Sequence, residues 1–540
     1  MDATDGSDVL VSTDTTALTL TIDEAIDKVG FGTFQRILFW TIGIFSSADA
    51  VEILLLSYLS IVLQVDWHLT NTERAFIVSS VFFGSLVGAI VLGKVGDIFG
   101  RRVALLTVSS MTVTFGVLTA AAPSYPWLLV ARTLVGVGVG AASITYDILA
   151  EFVPAEHRAS SIMSVFYFWS VGSAYVSACA YLCLGVLSNN WRLLVLMCSL
   201  PCWVGLATTT FFIPESPHWL VTTQRKPEKA LEILRKIAKQ NGLDPTVIFP
   251  PGTLIISESS TRVTTKDEEE EGGAAAATAS STEKEHGDDV VPLETTPLNE
   301  KPTTSDNEEL TGYLWIFSKD WSWIMFNLAI VTFGEGFLYY GVVLVITQIF
   351  AHEHNGTFHF NYIAIFLGSS AEIAGLYFTI PLLDRYGRLP PQAWFYILAG
   401  VSVAALCFVN SWQNQSNLQA VLLIVLSFLA RAFVMGSTSS GCVMTPEILT
   451  TNVRATGHGF LNGINHFGAA TSPFILQATT PLPQIAMIVG VAGTILALSV
   501  LQLPETNGHT LGRMVVPRSW YHWCLSLLSD CSEKNRQDRE

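Results

Sequence analysis

Charge is what this chain has least of. Of its 540 residues only 14% are Asp, Glu, Lys or Arg, against 50% apolar, and the mean hydropathy is +0.44. A soluble chain normally carries about a quarter charged residues, so an ordinary water-facing surface is excluded for most of its length. Basic charge is scarcer still, at 29 Lys and Arg against 45 Asp and Glu, which excludes a nucleic-acid surface. Residues 1–30 have no basic segment followed by an apolar core, so an acidic tail is expected rather than a cleaved signal. No nucleophile with a base and an orienting partner stands out, so neither catalysis nor a cofactor is expected. His352, His354 and His359 share a short loop, but without a fourth ligand no metal site is assigned to them.

Long apolar runs are what the chain has instead. A bilayer-crossing helix needs about 20 mostly apolar residues. Such runs lie near 37–64, 74–95, 103–122, 127–150, 160–186 and 192–213, and again near 322–350, 361–383, 391–409, 418–445, 456–479 and 484–503. The prediction is an all-α membrane protein with twelve transmembrane helices in two six-helix repeats. Basic residues favour the cytoplasmic side. With both termini inside, the inner loops hold Lys94, Arg101, Arg102, Arg158, Arg225, Lys226, Lys229, Arg385, Arg388 and Arg454, and the outer loops only Arg74 and Arg192. The glycosylation sequons at Asn355 and Asn414 then fall outside. Of the eight cysteines, Cys179, Cys183, Cys198, Cys202, Cys407 and Cys442 lie in apolar runs and Cys524 and Cys531 in the C-terminal stretch. None is in an outer loop, so small packing residues are expected rather than disulfides.

The net charge of −16 is confined to two stretches, with −6 over residues 1–28 and −11 over 252–310. The expected organisation is a cytoplasmic N-terminal tail over 1–33, a six-helix bundle over 34–213, a cytoplasmic linker over 214–319, a second bundle over 320–505 and a cytoplasmic tail over 506–540. Within the linker, 227–240 repeats apolar residues at helical spacing, which predicts an amphipathic helix on the inner membrane surface. The acidic part, 252–310, has too little apolar area to fold and is expected as a tether or regulatory segment, with a solvated spacer as the alternative.

The halves repeat one another. Gly93-Lys-Val-Gly-Asp97-Ile-Phe-Gly100-Arg101-Arg102 recurs as Asp384-Arg385-Tyr-Gly387-Arg388, and Arg132 as Arg431. Glu151 through Arg158 recurs as Glu447 through Arg454, and Pro214-Glu-Ser as Pro504-Glu-Thr. A duplicated six-helix unit with its site between the halves is a common transporter plan. These strings resemble the loop signature of the major facilitator superfamily, and Pro214-Glu-Ser-Pro217 with Pro504-Glu-Thr-Asn-Gly508 is similar to sugar-porter markers. Asp49-Ala-Val-Glu52, Tyr339-Tyr-Gly341 and Ala371-Glu372-Ile-Ala-Gly375 resemble the synaptic-vesicle-two-related group. The resemblance implies the major facilitator fold and alternating-access transport of a small solute, often proton-driven. The loop between spans seven and eight is too short for the lumenal domain of the glycoprotein branch, so functions of that domain do not carry over.

Ionisable groups deep in a bilayer cost several kcal/mol, which makes each a functional candidate. Asp49 and Glu52 are three residues apart on one face of span one. They can exchange a proton or pair with a cation, or serve as a strut locked to Arg132, which reaches Glu52 more easily than Asp49. Glu335 in span seven and Glu372 in span eight pose the same choice, Arg431 in span ten repeats Arg132, and His466 in span eleven is a titrating group or a hydrogen-bonded buried histidine. Tyr339 and Tyr340 offer hydroxyls or a ring face, with aromatic packing as the alternative. At the inner loops a gate is expected in which Asp97 pairs with Arg158 or caps the facing half, while Arg101, beside Arg102, engages Glu151. Asp384, Arg385, Arg388, Glu447 and Arg454 would mirror it. The leading expectation is a proton-coupled secondary transporter of a small organic solute, monomeric, in a plasma or vesicle membrane. A non-transporting scaffold and an uncoupled sugar carrier remain alternatives. The charge of the solute is open, because the acids favour a cation and Arg132 with Arg431 a carboxylate.

Overall fold

The computed structural model describes residues 18–506 apart from 142, 188, 257–320, 355–356, 413–415, 450–453 and 478–479. The acidic stretch from 257 onward, Asn355, Asn414, Cys524 and Cys531 therefore lie outside the described residues, as does the side chain of Arg454. Span one is Thr33–Asp66, span two Asn71–Phe99 and span three Arg101–Ala120. Span four is two pieces, Tyr125–Val139 and Ser143–Phe152, and span five, Ala155–Ala180, continues into a π-helical turn, Tyr181–Val186. Span six is Trp191–Phe212. Spans seven to nine are Ser322–Ile349, Tyr362–Tyr386 and Leu389–Asn410; spans ten to twelve are Asn417–Ile448, Arg454–Leu476 and Leu482–Val500. Among the described residues eleven are long and apolar enough to cross a membrane, and span eleven, which carries more polar residues, completes the twelve.

Contacts divide the chain into two compact units. All twelve spans have most of their length in one of them. There span two packs on four, three on four and three on six, and the same pairings recur as eight on ten, nine on ten and nine on twelve. Small residues make this possible. A Cβ on Gly84 would overlap the Thr133 carbonyl and one on Gly136 the Val81 carbonyl, so spans two and four meet backbone to backbone. The halves join where span two meets span eleven, with Ser79 Oγ donating to the Ala470 carbonyl at 2.7 Å.

The second unit comprises the described residues within 1–37, 150–158 and 214–299. Strand Thr19–Thr21 pairs in parallel with strand Leu254–Ile256. Helix Ile22–Val29 follows at once, opened by a capping box in which Thr21 and Glu24 satisfy each other's backbone N–H. Residues 1–33 are thus not tail throughout. Ile22, Ala25, Ile26 and Val29 stand at helical spacing and are buried, a pattern that the acidity around it hides. The amphipathic helix is Pro227–Gln240, with Ala230, Leu231, Leu234, Ile237 and Ala238 buried. Its contacts are with the Ile22–Val29 and Pro217–Thr222 helices and the Leu254–Ile256 strand, so protein rather than lipid covers its apolar face. Each large aliphatic side chain buried this way contributes about 1.5–3 kcal/mol.

Candidate functional site

A cavity of about 230 Å³ lies at mid-bundle between the halves of the twelve-span unit. That equals roughly eight waters at about 30 Å³ each, enough for a small organic solute. Spans one, four and five supply Asp49, Ile53, Gly140, Tyr146, Phe166 and Trp169 from the first half. Span seven adds Thr332, Glu335, Tyr339 and Tyr340, span ten Thr438, Gly441 and Cys442, and span eleven His458, Asn462, Asn465 and His466. Two carboxylates and several aromatic rings line it, and among the described residues no Lys or Arg does.

The two acids of span one part company. Glu52 accepts from Arg132 Nη1 at 2.8 Å, and both side chains have 0% exposure. The pairing is single, because Glu52 Oε1 and Arg132 Nε and Nη2 have no hydrogen-bond partner among the described residues. Asp49, one turn earlier, faces the cavity at 7% exposure. Neither a hydrogen-bond donor nor a cation sits on it among the described residues.

In the second half Glu335 accepts from the Tyr396 hydroxyl at 3.1 Å and from Gln392 Nε2 at 3.3 Å. Span ten makes room for it with Gly441, where any Cβ would overlap the carboxylate. Glu372 is instead salt-bridged to Arg431 at 2.6 Å. This pair crosses the halves, since Arg431 Nη2 also donates to Ser173 Oγ of span five at 2.7 Å. Tyr339 donates to Glu372 at 2.9 Å and receives the Trp169 indole N–H, again from span five. Tyr340 packs on Phe82 with ring centroids 4.6 Å apart. His466 lines the cavity at 9% exposure, and its Nδ1 has no hydrogen-bond partner among the described residues. Both arginines that could have met an anion are therefore neutralised by carboxylates, and neither reaches the cavity wall. Sequence reading singled out the charges but not Gln392, Tyr396, Ser173 or Trp169. Gln392, a polar side chain within an apolar run, was the one available signal.

One end of the bundle carries the basic turns around Arg101 and Arg388, and the opposite end is closed. There Arg74, 6% exposed, donates to Gln64 Oε1 at 2.7 Å, Gln348 Oε1 at 3.0 Å and the Gln477 carbonyl at 3.2 Å. Gln477 Nε2 continues to Ser60 Oγ at 3.3 Å. Spans one, two, seven and eleven are held together around one guanidinium. At the basic end Asp97 is paired with Arg101 at 2.6 Å, and Arg102 donates to the Thr210 carbonyl. Arg388 lies 3.4 Å from Asp384 and 3.3 Å from Glu447, and its backbone N–H donates to Glu505 at 2.8 Å. Arg385 lies over the ring of its neighbour Tyr386, at 5.3 Å. Arg158 and Glu151 belong to the other unit, where Arg158 is 3.1 Å from Asp23 and His218 is 3.6 Å from it. The His218 hydrogen bond, then its charge and those of Arg158, hold the Asp23 carboxyl down at about 2 against partial burial.

Comparison with known proteins fits this geometry. The family model described as sugar (and other) transporter matches residues 38–249. A protein of Arabidopsis thaliana named organic cation/carnitine transporter 7 is 30% identical over 465 residues, covering 84% of this chain and 87% of its own. The synaptic vesicle 2-related protein of Xenopus laevis is 29% identical over 478 residues, covering 85% of this chain and 76% of its own. Among solved structures, the inward-open xylose transporter XylE of E. coli superposes with a TM-score of 0.62 at 18% identity, over 89% of this chain and 98% of that one.

Proposed function

The chain belongs to the major facilitator superfamily of membrane transporters, with the synaptic-vesicle-two-related proteins among its relatives, and from that premise we propose that it exchanges a small organic cation for protons by alternating access. The observation that carries this reading is the cavity wall, with Asp49 and Glu335, aromatic rings and, among the described residues, no Lys or Arg. A cation above an aromatic face gains about 0.5–2 kcal/mol, and a carboxylate without a partner completes the recognition. A proton and a cationic solute then compete for one Asp49 carboxylate, which couples their movements through a single site. Glu52 and Glu372 are held by arginines and act as struts. The relative named for organic cations and carnitine supports this choice of solute.

Alternating access draws support from the Arg74 cluster, which shuts one end through bonds that a rocking of the halves breaks together. Exposed ion pairs of the Asp97–Arg101 kind are worth about 0–1 kcal/mol, weak enough to reform each cycle. With the basic end in the cytoplasm, both termini lie there, in a plasma or vesicle membrane. A second reading, an uncoupled sugar carrier, is favoured by Asn462 and Asn465, which bring to the cavity from span eleven the amides a sugar needs.

The experiment is proton movement in proteoliposomes holding the purified protein, challenged with quaternary ammonium ions, protonated amines, sugars and organic acids. Proton flux elicited by cations and lost in Asp49→Asn supports exchange. Sugar entry without proton flux would establish the second reading, and silence of labelled solutes throughout would leave the scaffold.

A further inference from the structure

The connection between spans seven and eight takes no part in the site above. It is a hairpin of two antiparallel strands, Ala351–His354 and Thr357–Phe360, in which Ala351 stands opposite Phe360 and His352 opposite His359. Side chains alternate along a strand, so the hairpin has two unlike faces. On one, Phe360 is buried with its ring 5.3 Å from Tyr58 of span one and 5.8 Å from Tyr362. That places an aromatic contact between the two halves at the closed end of the bundle. His352 and His359 stand on the other face, and both are exposed.

Directly opposed residues of an antiparallel pair hold their Cβ atoms about 4.5–5.5 Å apart. Two imidazoles springing from such positions can close on one metal ion, at about 2.0–2.1 Å from each nitrogen. The hairpin contains no Lys or Arg to repel a cation, and neither residue type occurs between Lys319 and Arg385. Among the described residues no group of three or more His, Cys, Asp or Glu could hold a metal ion. Among the described residues the donors on this face are therefore the two imidazoles.

We propose that His352 and His359 form a transition-metal site of the zinc and copper class that neutral imidazole prefers, and that the bound ion stiffens the hairpin and so its Phe360–Tyr58 contact. The binding is independent of the transport reading; its consequence, slower turnover because the closed end opens less readily, rests on that reading.

The test is calorimetric titration of Zn²⁺ into the purified full-length protein in detergent, with His352→Gln and His359→Gln alongside. The expected result is one site in the parent, weakened about tenfold or more in either variant, with an unchanged elution profile. Solute uptake without metal should be equal in all three proteins, and Zn²⁺ should slow only the parent. Absence of saturable binding, or binding that both variants retain, would overturn the site. Binding that needs both histidines but leaves uptake unslowed would overturn the link to the gate, and because the titration does not require transport, failure of the cation reading would not obscure it.

Discussion

Replacing Glu52 by Gln and, separately, Asp49 by Asn puts the division of labour in span one under direct test. Glu52 and Arg132 are both fully buried and 2.8 Å apart, so Glu52→Gln leaves a buried guanidinium without a counter-charge. Breaking such a pair from one side costs about 3–5 kcal/mol, roughly two to four orders of magnitude in the folded-state equilibrium. The pair itself is poorly satisfied, with Glu52 Oε1 and two guanidinium nitrogens unbonded among the described residues. Removing both charges in Glu52→Gln/Arg132→Met should therefore recover most of the loss. Asp49 has no cation to strand, so Asp49→Asn should change stability by less than about 1 kcal/mol while abolishing coupled proton movement. The assay is thermal unfolding of the purified variants, Arg132→Met included, against the parent, read as a double-mutant cycle, with proton flux in proteoliposomes as the second axis. A Glu52→Gln protein as stable as the parent, or an Asp49→Asn protein as unstable as Glu52→Gln, would refute the assignment.

Gly441→Ala should displace the Glu335 carboxylate from its Tyr396 and Gln392 partners, costing about 1–3 kcal/mol in packing and most of the transport; uptake equal to the parent would show that Glu335 has room elsewhere. Arg74→Gln deletes charge-assisted bonds of about 1.5–3 kcal/mol each across spans one, seven and eleven, so cysteines placed at the closed end should label faster, and unchanged labelling would place the closure elsewhere. Asp23, held at about 2 against an ordinary 3.8, contributes stability to its unit above roughly pH 4 and loses that contribution as the pH falls towards 2. Hydrogen exchange of residues 19–29 should thus lose protection as the pH falls from about 4 towards 2, whereas Asp23→Asn should already be less protected at pH 5 and show no such step.

Much of the architecture is written locally. Twelve apolar runs, the basic turns and the ordered recurrence of Asp97, Arg132 and Glu151 as Asp384, Arg431 and Glu447 require only neighbouring residues to be read together. Lipid makes this possible, because a spanning segment must satisfy its own backbone and so declares itself by length and apolarity. The helix Pro227–Gln240 was equally legible from its spacing. What it packs against was not, since Ile22, Ala25, Ile26 and Val29 lie some 200 residues away in an acidic stretch.

The sequence by itself determined the fold class, the duplication and the short roster of intramembrane charges that chemistry could use. Only the tertiary structure decided which of those charges are spent on one another. Asp49 and Glu52 are indistinguishable by spacing, yet one faces the cavity and the other an arginine. Glu335 and Glu372 are both mid-span acids, yet one meets a tyrosine and a glutamine and the other Arg431. Such outcomes depend on which faces of separate helices meet, and a helix rotated by one residue turns through about 100°. Hydropathy is nearly blind to that rotation in a helix that is apolar all round, whereas a bonded pair at 2.6 or 2.8 Å is not.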